Sequence, residues 1–139
     1  MANYIDTRDL AEEREELKQQ ILDDFLDQFE QYADRTESFE DIRFQEEELE
    51  SFVDYWSTKL EKIEAIDKVE EEVGSEFTFG VTLIPESDFE EYVEEFATDC
   101  GYISRDFPSW IEIDWDKTAY NVRHDYSYVT YFETEYLYR

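Results

Sequence analysis

An excess of twenty-eight negative charges, from forty Asp and Glu against twelve Lys and Arg, is the strongest constraint on what this 139-residue chain can fold into. Charge of that density repels itself and opposes any compact state. Chains that carry it without a large apolar complement stay disordered. Here the complement is present: three Trp, eleven Tyr and eleven Phe, within a hydrophobic share of 41%, supply enough surface to bury. The expectation is a folded body with an aromatic core and an almost wholly anionic exterior. Such an exterior is repelled by phosphate backbones and by anionic lipid, so direct nucleic-acid or membrane binding is excluded and any partner is expected to be basic.

Three Gly and two Pro leave little material for loops, and no Gly-, Ser- or Pro-rich stretch marks a linker. The length suits one domain, or a small domain with a helical extension. Met1 to Leu10 carries charges and no apolar run, so no signal peptide is expected, and no segment approaches the length of a membrane span. The single cysteine, Cys100, has no internal partner. Together these features predict a soluble, cytoplasmic protein.

Hydrophobic spacing predicts an antiparallel helical hairpin over residues 1–74. The first arm runs from about Thr7 to Asp34, capped by Asp6 or Thr7, with Leu10, Leu17, Ile21, Phe25 and Tyr32 on one face. On the other face Glu12, Glu16, Asp23, Asp27, Glu30 and Asp34 fall within a stripe about 60° wide. The second arm is predicted from Phe39 to Val73, capped by Ser38, with a seam of Phe39, Ile42, Leu49, Phe52, Val53, Trp56, Leu60 and Ile63. Its acidic stripe is Glu47, Glu50, Asp54 and Glu61.

Residues 75–139 read as a separate α+β unit, a three-stranded antiparallel sheet covered by two helices. Alternation of Phe77, Phe79, Val81 and Leu83 with smaller polar residues predicts a strand. Ser87 and Glu90 form a capping box for a helix that ends near Cys100 and Gly101. That helix is expected to bury Phe89, Tyr92, Val93, Phe96 and Cys100 and to turn Glu91, Glu94 and Glu95 outward. Asp114 is the predicted cap of a further helix carrying Trp115, Ala119, Val122 and Tyr126 inward, and Tyr128–Phe132 and Tyr136–Arg139 complete the sheet.

No catalytic chemistry is legible. His124 is the only histidine, which leaves no Ser-His-Asp or Cys-His arrangement, and Cys100 reads as a small core residue. Asp114 and Asp116 lack the spacing of a calcium loop, and no Gly-rich phosphate cradle exists. Trp56, Trp110 and Trp115 read as core. No cofactor, no metal and no enzymatic activity are expected.

The acidic stripes carry the functional expectation. Duplex DNA presents about one charge per 1.7 Å of axis, whereas one helical stripe offers roughly one per 5 Å. Three stripes side by side approach the duplex density, and a helix of about 40 Å matches about a dozen base pairs. A solvated face of no special role, or adaptation to high salt, would also yield acidic surfaces. Ordinary solvated faces mix signs, however, whereas here Glu12 stands over Glu16 and Asp23 over Asp27 at a destabilising spacing.

From about Gly80 onward the residues bear a family likeness. The stretches are Leu83 to Tyr92 (LIPESDFEEY), Phe96 to Gly101 (FATDCG), Ile113 to Ala119 (IDWDKTA), Asp125-Tyr126-Ser127 and the closing Tyr136 to Arg139 (YLYR). This region resembles the C-terminal part of the ArdA-type antirestriction proteins and their phage relatives. The resemblance implies an acidic, elongated mimic of B-form DNA, in this family often dimeric, that blocks a Type I restriction-modification enzyme of the host. It also implies that Asp114, Asp116 and Asp125 are surface carboxylates, with Trp115, Ala119 and Tyr126 packing beneath them. The alternatives are an inhibitor of another nucleic-acid-binding host protein (an RNA polymerase, a CRISPR effector or a nucleoid protein) and a non-inhibitory helical adaptor.

Overall fold

The computed structural model describes residues 3–44, 50–104 and 106–139. The chain is α+β and divides into two compact units, one formed by Arg8–Thr78 and the other by Met1–Thr7 with Phe79–Arg139.

In the helical unit, α1 (Thr7–Gln28) ends one residue before Phe29, whose backbone leaves the helical region at φ −128° and ψ 64°. Glu30–Arg35 continues as a 3-10 turn, not as the predicted extension to Asp34. The reason is aromatic packing. Leaving the helix at Phe29 lets Tyr32 stack on Phe25, with centroids 6.1 Å apart and planes 10° from parallel, while Phe29 itself stacks on Phe25 at 5.3 Å.

The second arm is not one helix. Ser38 does cap a turn, but the turn is a single 3-10 unit, Phe39–Asp41, after which Ile42 is extended. Two helices follow, α2 (Glu50–Tyr55) and α3 (Ser57–Val73), separated at Trp56, which is 1% exposed. Its indole Nε1 donates to Asp24 Oδ2 at 2.7 Å, a bond that fixes the ring and accompanies the break in the helix. Leu49 lies outside the described residues, as does the side chain of Phe52. Ile21, Leu22, Phe25, Phe29, Ile42, Trp56 and Ile63 form the core of this unit. Contacts pair Arg14 with Asp67 and Glu70, and Asp24 with Trp56, so α1 and the second arm run in opposite directions.

α3 stops at Gly74, which takes φ +83°. The expected strand at Phe77 and Phe79 is instead one helical turn, α4 (Glu76–Phe79). In a strand both rings would face the same side. In the turn, residues two apart point in opposite directions, and accordingly Phe77 is fully buried while Phe79 is 81% exposed.

In the second unit the sheet has four strands, not three. β1 (Ile5–Asp6), β2 (Thr82–Pro85), β3 (Ser127–Tyr131) and β4 (Thr134–Tyr138) lie in the order β1-β2-β4-β3, all neighbours antiparallel. β1 extends the sheet through Ile5 opposite Leu83 and Asp6 opposite Thr82. Thr7 then closes the connection: its N–H donates to the Val81 carbonyl at 3.0 Å and its Oγ1 accepts from the Val81 N–H at 2.8 Å. That reciprocal pair satisfies a fully buried polar residue.

A short 3-10 turn, Glu86–Asp88, leads into α5 (Phe89–Asp99). The cap position is Asp88 and it makes no side-chain cap bond, so the predicted Ser87 capping box is absent. α5 terminates in a left-handed turn at Gly101, φ +77°, where Gly101 N–H donates to Thr98 O and Tyr102 N–H to Ala97 O. Because the helix has ended, Cys100 is exposed and not a core residue, and Phe96 is 43% exposed.

α6 (Trp115–Arg123) begins as expected. Asp114 Oδ1 accepts from the Lys117 N–H at 3.0 Å. α5 and α6 pack Phe89, Val93 and Ala119 against Ile84 and Leu137 of the sheet, with Trp115, Val122, Tyr126, Tyr92 and Tyr4 around them.

Candidate functional site: an unneutralised acidic surface

On α1 the stripe keeps its helical part. Glu12, Glu16, Asp23 and Asp27 are all exposed, separated by about 6, 10 and 6 Å along the axis. Glu30 and Asp34 are exposed too, but they stand on the 3-10 turn, where the 100° spacing that aligned them no longer applies. The 22-residue helix is about 33 Å long, nearer ten base pairs than a dozen.

The second stripe is not continuous. Asp54 and Glu61 are exposed but sit on α2 and α3, on either side of the break at Trp56. Glu47 and the side chain of Glu50 lie outside the described residues.

In the α+β unit, Glu91, Glu94 and Glu95 project from α5 and are exposed, as predicted. Their field reaches the phenol of Tyr4: burial first, then Glu95, Glu91 and Asp88, raise its pKa above the usual value. Asp114 and Asp116 are exposed and share an open cleft of about 590 Å³ with Glu86, Glu90, Lys117 and Arg123, whereas Asp125 stands exposed beyond the end of α6.

Sequence reading did not anticipate how the cations are placed. Arg14, only 12% exposed in its side chain, donates from Nη1 to Asp67 at 2.8 Å and to Glu70 at 2.7 Å. Burial alone would lower its pKa, but those two hydrogen bonds carry it above its usual value. Lys18 bonds Glu40 at 3.0 Å, which holds that carboxyl below its normal range. Lys62 pairs with Glu13, Lys68 with Glu64 and Arg123 with Glu86.

None of the carboxylates of the expected surface whose side chains are described appears in these pairs. Glu12, Glu16, Asp27, Glu30, Asp34, Asp54, Glu61, Glu91, Glu94, Glu95, Asp116 and Asp125 make no ion pair with a described residue, nor do Asp23 and Asp114, whose partners are the Gln19 amide and a backbone N–H. One set of acids pairs with these five cations, and a different set faces solvent without an ion pair to a described residue.

Trp110, read as core, is 80% exposed, and Tyr102 is 76% exposed. Both belong to the irregular connection between α5 and α6. His124 lies exposed at the end of α6, its Nδ1 3.0 Å from the Tyr120 carbonyl.

None of the described helices is long and apolar enough to cross a membrane. No protein-family model matches the chain, and comparisons with curated proteins and with solved structures likewise give no match.

Proposed function

We propose that this protein is a DNA mimic that occupies the DNA-binding groove of a host restriction-modification enzyme of the Type I kind, acting in the host cytoplasm without catalysing a reaction. One observation carries the reading: five described cations, Arg14, Lys18, Lys62, Lys68 and Arg123, are matched to Glu13, Glu15, Glu40, Glu64, Asp67, Glu70 and Glu86, whereas Glu12, Glu16, Asp23 and Asp27 of α1, Glu91, Glu94 and Glu95 of α5 and Asp116 of α6 pair with no described cation. A surface of fixed, unpaired negative charge is what a groove lined with Lys and Arg binds, and counterion release then drives association as it does for DNA. The likeness of residues 80–139 to the ArdA-type proteins supports the choice of target. A homodimer is part of the proposal. β3, an edge strand of the sheet, reads Ser-Tyr-Val-Thr-Tyr and carries no charge, in a chain where 37% of residues do. Edges lacking charges are templates for a second strand.

The test is displacement of duplex DNA from a purified Type I restriction complex. The expected result is competition that fades as salt rises, and that weakens in the variant carrying E12Q, E16Q, D23N, D27N, E30Q and D34N. Competition independent of salt and of these charges would refute mimicry. Displacement from an RNA polymerase or a CRISPR effector, with none from the restriction complex, would move the target and keep the mechanism. Sedimentation at moderate salt reads the oligomeric state.

A further inference from the structure

The molecule shows repeatedly how it holds a cation. The Arg14 guanidinium lies over the Phe77 ring at 5.4 Å while bonding Asp67 and Glu70. Lys18 lies over Phe39 at 5.6 Å while bonding Glu40, and Arg123 over Phe89 at 5.6 Å beside Glu86. In each case a ring face and a carboxylate share one cation. The ring quadrupole attracts positive charge and favours the flat, weakly hydrated guanidinium, while the carboxylate supplies the ion pair.

The connection between α5 and α6 offers the same two chemistries to solvent. Trp110 and Tyr102 are 80% and 76% exposed, Phe107 and Ile111 are 37% and 39% exposed, and Asp106 and Glu112, in the same connection, are exposed too. No cation of a described residue lies over Trp110 or Tyr102. Rings are exposed elsewhere too, but this connection gathers Tyr102, Phe107 and Trp110 within nine residues, and Trp and Tyr are among the residues that most often dominate binding energy at interfaces. Among its described residues, which exclude Arg105, the connection carries no helix or strand, and irregular connections of this length are uncommon in compact units.

We infer that this aromatic–acidic segment is a docking point for arginine side chains of the basic partner, with guanidinium groups stacking on Trp110 and Tyr102 beside Asp106 and Glu112. The inference rests on the proposed function, since it takes the partner to be cationic, and adds a selectivity that charge alone does not give. A purely electrostatic surface treats Arg and Lys alike. This one distinguishes them.

Isothermal titration calorimetry with two synthetic peptides, hexa-arginine and hexa-lysine, tests the selectivity at low salt on the full chain and on the W110L/Y102L variant. Both rings are solvent-exposed, so the substitutions leave the fold intact, which circular dichroism checks. The expected result is that hexa-arginine binds about threefold or more tightly than hexa-lysine, and that the difference disappears in the variant. The dependence of hexa-lysine binding on salt stays unchanged between the two proteins. Equal affinities in the native chain, or a preference that survives in the variant, would overturn the inference while leaving the DNA-mimic reading in place. Failure of both peptides to bind at low salt would overturn the mimic reading as well.

Discussion

If the carboxylates of α1 are held for binding, they stand there at the expense of stability, and removing them makes the protein more stable. Glu12 and Glu16 form one i,i+4 pair of like charge and Asp23 and Asp27 another, all exposed on an unbroken helix and in no ion pair with a described residue. Each such pair destabilises a helix by about 0.2 to 0.5 kcal/mol. The quadruple variant E12Q/E16Q/D23N/D27N therefore gains about 0.4 to 1 kcal/mol from the helix alone, and somewhat more from the lowered net charge. Gln19 donates to Asp23 at 2.8 Å, and an Asn there retains an acceptor oxygen, so that bond is not sacrificed.

Urea unfolding followed by circular dichroism at 222 nm measures the gain, and salt decides its origin. Side chains at this spacing are about 5 to 6 Å apart. At 1 M salt the screening length is about 3 Å, shorter than that separation, so the gain shrinks toward zero, whereas at 0.01 M the length is about 30 Å and the gain is largest. A variant that is less stable than the native protein at low salt, or whose gain is the same at both salt concentrations, would show that these carboxylates do structural work, and the case for a binding face would lose its premise.

The hairpin between β3 and β4 turns through Phe132 and Glu133, both at positive φ, 48° and 64°. Asn-Gly fits this geometry far better, so F132N/E133G raises stability by about 2 kcal/mol in thermal unfolding. Gly101 at φ +77° has nothing within 4 Å of where a Cβ would stand, so Gly101→Ala meets backbone strain only and costs about 1 kcal/mol. Asp41 Oδ2 accepts from the N–H groups of Glu37 and Ser38, which hold its pKa below the usual carboxylate value. A depressed folded pKa gives stability that is present above the unfolded value and lost as pH falls through the folded one. The stability difference between the native protein and Asp41→Asn is thus full at pH 7 and shrinks in acid below about pH 4. Burial, and then the hydrogen bond to Tyr92, push Tyr126 up to about 12, so its phenolate absorbance appears later in an alkaline titration than that of an exposed tyrosine.

Elements stated locally were legible in the sequence. Asp114 as a cap, the inward set Trp115, Ala119 and Val122, the end of α5 at Gly101 and the core face of α1 each depend on residues within one or two turns. The losses came where tertiary contacts override local pattern. Ile5–Asp6 is two residues long, too short for any periodicity, and becomes a strand only because β2 offers it an edge. The second arm breaks at Trp56, whose indole reaches Asp24 thirty-two residues away. Phe77 and Phe79 alternate as a strand would, yet Phe77 is drawn under the Arg14 guanidinium, fifty-three and fifty-six residues from whose own position Asp67 and Glu70 complete the site. Residue type alone points Trp110 to the core, but it does not say whether a ring in an irregular segment finds cover, and this one is exposed.

The same contacts show what the rings contribute that the aliphatic residues of the core do not. Under the proposed function, a cation placed on the outer face would neutralise the charge offered to the partner. Arg14, Lys18 and Arg123 instead lie against rings, at 5.4, 5.6 and 5.6 Å, each beside an acid of its own. Leucine could cover the aliphatic stem of these side chains but offers nothing to the charged head, whereas a ring face attracts the head as well. Aromatic packing therefore does two things at once. It buries enough surface to hold a self-repelling chain together, and it keeps some of the few positive charges away from the carboxylates of α1 and α5. Replacing Phe77 or Phe39 by Leu separates the two effects: the buried volume is largely retained, and what is lost is the attraction that holds Arg14 or Lys18 in place.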